Sequence, residues 1–222
     1  VVRPVGVLAR VGQVLADGAG VVGVEVVAQL VLVSETQLAL GALVNGHAGS
    51  VAPRTLGRVL VRRALPSDDP VVRHVHVAAF GREVEAGIYD ALRADGDLIP
   101  ALCFVAEAGH TVVGHVAVST AHVGSVAVPA IGPVGVLPGR QRQGAGSALL
   151  HAVVGGAEAL GEQCLVLLGS TAYYTRFGFG PAGDIVPPDP AWGEHFQVRR
   201  LTAWDGSIAG PFRYAPAFSL DA

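Results

Sequence analysis

With 222 residues, 51% of them hydrophobic, and a formal net charge of -3, the chain has room for one domain of ordinary size with a full core, plus an extension. That balance offers no basic field of the kind that neutralises phosphates, so nucleic acid is not expected as a partner. All 15 basic residues are Arg, which excludes a Walker-type lysine loop, and the two cysteines, Cys103 and Cys164, sit apart in apolar runs, as buried reduced thiols in a cytoplasmic protein do.

The longest apolar stretch, Val21–Val33, carries Glu25 and Gln29 and falls short of the roughly 20 residues needed to span a bilayer, so no membrane partner is expected. No basic region leading into an apolar core and cleavage site opens the chain, so no secretory signal is expected either. Residues 1–56 are rich in Val, Gly, Ala and Leu, contain no Phe, Tyr or Trp, and carry no chemical motif. They read as a poorly defined extension or a misassigned start, with the functional domain over residues 57–222.

From Arg58 the pattern sharpens. "RVLVRRAL" alternates as a strand, and "PSDDP" supplies Ser67, Asp68 and Asp69 as N-cap candidates, with Pro70 in the first turn of a helix that runs through Phe80. His74 and His76 lie two residues apart on that helix, point about 200° apart, and cannot chelate one ion; both read as surface or boundary histidines, and no metal is expected. A second helix follows from Glu83, with Ile88 and Leu92 on its apolar face and Gly96 near its end. "ALCFVAEAGHTVVGHVAVSTAHV" reads as two antiparallel strands joined at Ala108-Gly109-His110, and "VPAIGPVGVLPG" as a third. A helix through about Leu160, the strand "CLVLLG", a short helix closed by Gly178 and two last strands complete a β α α β β β α β α β β order. This is a mixed α/β domain with mostly antiparallel strands and one βαβ unit.

Inside that βαβ unit, "RQRQGAGSALLHA" puts two glycines and two arginines where a helix begins. Glycines at 144 and 146 let backbone N–H groups approach an anion at a helix N-terminus, and Arg140 and Arg142 add charge-assisted donors. Taken alone, the same residues also fit a loop-to-helix corner with solvated arginines. A dinucleotide fingerprint is a poor match, because Leu149 stands where its third small residue belongs. A kinase-type loop lacks its strand lysine.

The strand "GPVGV" followed by Gln141-Arg142-Gln143-Gly144-Ala145-Gly146 resembles the Q/R-x-x-G-x-G/A motif of the GNAT superfamily of acyl-CoA-dependent N-acetyltransferases. Further on, "AYYTRFGFGPAG" resembles the Tyr-x-x-x-Gly-Phe segment of the same superfamily, and "HFQVRRL" with "GPFRYAPAF" is similar to the last strands of its bacterial YhbS-type members. The likeness spans about Arg58 to Phe218. It implies the GNAT fold: a central mixed sheet flanked by helices, with two parallel strands splayed at the cofactor site. It also implies acetyl-CoA as co-substrate and direct attack of an amine on the thioester. The cofactor would be held by Val134, Val136, Leu137, Gln141, Arg142, Gln143, Gly144, Ala145, Gly146 and Ser147.

By the same resemblance, Tyr174 is the acid that protonates the leaving thiolate, as a phenol with an ordinary pKa near 10 can at neutral pH. Tyr173 reads as structural. For the base that takes the amine proton the candidates are Glu107 and His115, with Glu83 and Glu85 as alternatives; strand parity puts His115 and Ser119 on one face and His122 on the other. The acceptor would be a small-molecule amine or a protein N-terminus. Residues 61–222 hold 11 Arg against 15 acidic residues, which favours a cationic amine. A homodimer is compatible with this reading, and a non-catalytic acyl-CoA sensor of the same fold is the competing one.

Overall fold

The computed structural model describes residues 59–219, so the reading of residues 1–56 as an extension lies outside the described residues. Strand β1 (Val59–Arg63) leads through a 3-10 turn at Pro66–Asp68 into helix α1 (Asp69–Phe80), and α2 (Val84–Ala94) follows. Strands β2 (Phe104–Ala108), β3 (Thr111–Val123) and β4 (Val126–Val136) come next, then α3 (Ala145–Leu160), β5 (Cys164–Leu168) and the four-residue α4 (Thr171–Tyr174). The chain closes with the two-residue strands β6 (Gly180–Pro181) and β7 (Ile185–Val186), then β8 (Phe196–Arg200) and β9 (Gly210–Arg213). The expected order is observed, with β6 and β7 added.

One sheet runs β1-β2-β3-β4-β5-β8-β6, with β9 paired to the far end of β3 and to β7. Within the main path β4 and β5 are parallel and their neighbours antiparallel, so the mixed, mostly antiparallel expectation holds. The β2–β3 hairpin turns at Gly109 and His110, both at positive φ, 57° and 66°, as a tight turn matching the strand twist requires.

Helix α3 covers one face and α1 with α2 the other. The alternation in β5 shows both layers: Leu165 and Leu167 pack with Leu149, Leu150 and Val153 of α3, whereas Cys164, Val166 and Leu168 pack with Ile88 and Leu92 of α2. Each such side chain contributes roughly 1.5–3 kcal/mol through burial. Both cysteines are buried and free, as expected.

Two local expectations change. Asp68 does not cap α1; its carboxylate turns back to accept from the Leu65 N–H at 2.8 Å and from Arg62 at 2.7 and 2.9 Å. His74 is exposed as expected, but His76 is fully buried, because it faces β4 at a glycine. Strand β4 also carries an irregularity: Val116 pairs with Val134 but Val118 with Ile131, so one extra residue is accommodated at Gly132-Pro133, a cis peptide. The bulge inverts the parity of β4. Ile131 faces α3 before it, and Val134 and Val136 do so after it.

Candidate active site

The bulge opens the sheet. Among the described residues β4 and β5 share a single register pair, Ala130 with Val166, and beyond it β4 continues to Val136 bound to β3 alone. Leu137 donates its N–H to the Val113 carbonyl at 2.9 Å, which by strand alternation turns the backbone of Val134 and Val136 the other way, into the gap toward β5. The N–H of Leu137, a residue expected at the cofactor, is itself spent on β3.

The loop after β4 is shaped by its backbone. Pro138–Arg140 forms a 3-10 turn, Arg142 stands at φ 58° and Gly144 at φ 91°, and α3 begins at Ala145. A β-carbon on Gly144 would meet nothing within 4 Å, so the left-handed conformation alone requires glycine there. Gly146 is the reverse case: a β-carbon on it would lie 2.7 Å from the Tyr173 hydroxyl. Arg142, a non-glycine residue in the left-handed region, costs of order 1 kcal/mol, the kind of strain that is retained at ligand sites.

The side chains divide the work differently from expectation. Gln141 donates through Nε2 to the Val136 carbonyl at 3.1 Å, and Gln143 to the Gly139 carbonyl at 3.0 Å, so both amides brace the loop. Arg140 and Arg142 are exposed and form no ion pair among the described residues. The N–H groups of Ala145, Gly146 and Ser147 have no acceptor behind them, as at the start of any helix. The result is a concentration of donors and positive charge at one end of the β4–β5 gap.

Tyr173 and Tyr174 meet edge to face at 5.0 Å on α4 and point in different directions. Tyr174 is buried with Phe177 and Phe179, and that burial pushes its phenol above the ordinary value. Tyr173, which the sequence marks as structural, reaches the first turn of α3, where its hydroxyl stands over Gly146. Arg176 lies over its ring, 4.1 Å from the centroid, and is a third cation at this end of the gap. Two adjacent helical residues differ by about 100° in direction, so one of the tyrosines had to face the loop; that signal was present in the sequence.

The base candidates are all engaged. Glu107, expected as a base, lies on β2, two strands from β4, and accepts from Arg62 Nε at 2.8 Å, with Asp68 on the same guanidinium, an ion pair at the sheet edge. Glu83 pairs with Arg73 at 2.5 Å, and buried Glu85 accepts from Arg82 at 3.0 and 3.1 Å. His115 is fully buried and hydrogen-bonded to His76 at 2.8 Å. Burial pulls His76 down to about 3 and His115 well below the usual histidine range, so neither collects a proton near neutrality. His115, expected as a base, is thus enclosed with His76 and away from solvent. Among the described residues no cluster could hold a metal, and no helix is long and apolar enough to cross a membrane.

Residues 71–179 match the model of the acetyltransferase (GNAT) family. The uncharacterized N-acetyltransferase YjhQ of Escherichia coli K12 is 31% identical over 159 residues, covering 67% of this chain and 88% of that protein. YhbS of the same strain, likewise an uncharacterized N-acetyltransferase, is 31% identical over 147 residues, 64% of this chain and 87% of that one. Among solved structures, a GNAT acetyltransferase from Brucella melitensis in complex with acetyl-CoA is similar with a TM-score of 0.61 and 32% identity, over 73% of this chain and 99% of that one. YhbS from Escherichia coli in complex with CoA gives a TM-score of 0.68 at 28% identity, over 78% and 96%. The chain belongs to the GNAT family of acetyltransferases. Its mixed sheet with an open parallel pair is the fold of that family.

Proposed function

We propose that the chain moves an acetyl group from acetyl-CoA to a primary amine in the cytoplasm, with residues 57–222 as the catalytic unit and residues 1–56 appended to it. The observation that carries this reading is the junction of a strand segment paired on its β3 side alone, Val134–Val136, with a glycine-shaped helix start flanked by Arg140, Arg142 and Arg176. Such a site suits a linear amide-bearing arm that ends in a diphosphate. The diphosphate would lie on the N–H groups of Ala145, Gly146 and Ser147, as anions do at helix starts. The backbone of Val134 and Val136 would hold the pantetheine amides as a neighbouring strand would.

Bound in this way, acetyl-CoA supplies an activated thioester carbonyl. Tyr174 donates its phenolic proton to the departing thiolate; burial keeps that phenol protonated until it is needed. With Glu107, Glu83 and Glu85 ion-paired and His115 buried, the ammonium form of the acceptor loses its proton to solvent and the free amine attacks; as the C–S bond breaks and the amide forms, the nitrogen sheds a second proton, which returns through solvent to the Tyr174 phenolate. The excess of acidic residues favours a cationic acceptor, small molecule or protein N-terminus.

The test is calorimetric titration of acetyl-CoA into the wild-type chain and into a Gly144→Glu, Gly146→Glu double variant, followed by thiol release with a panel of amines. Micromolar binding lost in the variant, with thiol release on at least one amine, is the expected result. Absence of binding by the folded wild-type chain sinks the proposal, and binding without turnover on any amine makes the chain an acyl-CoA-binding module.

A further inference from the structure

His76 of α1 and His115 of β3 share their 2.8 Å hydrogen bond in full burial, with the rings edge to face at 5.1 Å. Tyr89 of α2 lies against both, 5.0 Å from His115 and 6.0 Å from His76, and its hydroxyl donates to Asp69 at the start of α1 at 2.7 Å. The pair therefore sits where α1, α2 and β3 meet. Its outer nitrogens, His76 Nδ1 and His115 Nε2, are buried with no hydrogen-bond partner among the described residues. Two apolar side chains of like volume would fill this space without leaving two polar atoms unsatisfied, so packing alone does not account for the choice of histidine.

What the pair touches is the cofactor strand. His115 is in register with Gly135, and a β-carbon on Gly135 would lie 2.9 Å from His76 Nδ1 and 3.3 Å from Ala79. The imidazole of His76 thus rests on bare backbone between Val134 and Val136, in the part of β4 that has β3 on one side and the gap on the other.

We propose that His76 and His115 are positioning residues for the cofactor strand: joined to each other, they set the height of α1 over Gly135 and so aim the backbone of Val134 and Val136 into the gap. Neither residue touches the cofactor. The hydrogen bond between the rings fixes their mutual angle, which two leucines could not do. The proposal rests on the reading of the gap as the acyl-pantetheine site. It adds that the helices on the α1–α2 face hold that site in shape through one imidazole pair.

The experiment compares leucine variants, His76→Leu and His115→Leu, with variants that keep a polar group near the bonding nitrogen, His76→Gln and His115→Asn. CoA affinity is read by calorimetry, KM for acetyl-CoA and kcat by thiol release, and the fold by thermal melting. The leucine variants are expected to weaken CoA and raise the acetyl-CoA KM about tenfold with kcat within about threefold of wild type, and the Gln and Asn variants to recover most of that loss. Leucine variants that bind CoA like wild type overturn the proposal, as do Gln and Asn variants no better than leucine. If the leucine variants do not fold, Gly135→Ala, which keeps both imidazoles and presses on His76, is expected to give the same weakening; unchanged affinity there overturns it. A wild-type chain that binds no acetyl-CoA removes the reading of the gap itself, a different failure from the first two.

Discussion

The hydroxyl of Tyr173 stands where Gly146 has no β-carbon, 2.7 Å from the place one would take. Gly146→Ala therefore pushes the phenol off the first turn of α3, and Tyr173→Phe removes the oxygen that would clash. The alanine variant is expected to raise the acetyl-CoA KM about tenfold, and the Gly146→Ala, Tyr173→Phe double variant to lie closer to wild type than the sum of the two changes, a coupling of about 1 kcal/mol. Steady-state KM values for the four proteins check this. Strict additivity would mean the two residues do not meet at the site.

Tyr174 and Tyr173 should separate kinetically. Loss of a general acid typically costs about 10²–10⁴ in rate, so Tyr174→Phe is expected to lower kcat by about 100-fold with little change in KM, whereas Tyr173→Phe acts on KM. Burial disfavours the phenolate of Tyr174, so its proton is retained to higher pH than that of a free tyrosine. No alkaline decline in kcat assignable to this group is therefore expected below about pH 10. Thiol-release assays give both answers, and a Tyr174→Phe variant within a few-fold of wild type would remove this residue from the chemistry.

The engagement of every candidate base has its own kinetic signature. With the acceptor deprotonated by solvent, kcat/KM for the amine should rise with pH until the acceptor's own pKa is passed. Two acceptors differing in pKa by two units should shift the profile by about the same amount. An inflection near pH 6–7 that stays in place for both amines would reveal an enzymatic base.

Arg62 holds Asp68 and Glu107 together at the β1–β2 edge. Its hydrogen bonds to Asp68 hold that carboxyl below the ordinary aspartate range, so their stabilisation is fully present above about pH 4 and fades as pH falls through the lowered value. Asp68→Asn is expected to destabilise the domain by about 1–2 kcal/mol at pH 7, and the gap between variant and wild-type melting temperatures should narrow on acidification. A gap that stays constant from pH 7 to pH 2.5 would count against an ionic origin.

The parts of the domain readable from sequence are those set by local chemistry: the hairpin turn at Gly109-His110, the alternating strands, and the glycine loop leading into α3. The phase of a four-residue helix decides which of Tyr173 and Tyr174 faces the loop, and a window that short has no periodicity to read. The burial of His76 depends on Gly135, far along the chain, having no side chain, and the ion pair of Glu107 depends on Arg62 from a strand that the register alone brings alongside. The bulge had a visible cue in Gly132-Pro133 and no local indication of its effect. One extra residue there reverses which face every later side chain of β4 presents.

That extra residue makes β4 a strand with two tenants. Its first half is finished by β5, and among the described residues its second half has β3 alone, which under the proposed function leaves that edge for the co-substrate. On that reading the sheet is incomplete where the proposed ligand would lie, and an arm bearing amides would complete it as an added strand does. Occupancy of the site and integrity of the sheet are then one quantity, and slower amide exchange on ligand binding should extend along β4 well beyond the atoms in contact.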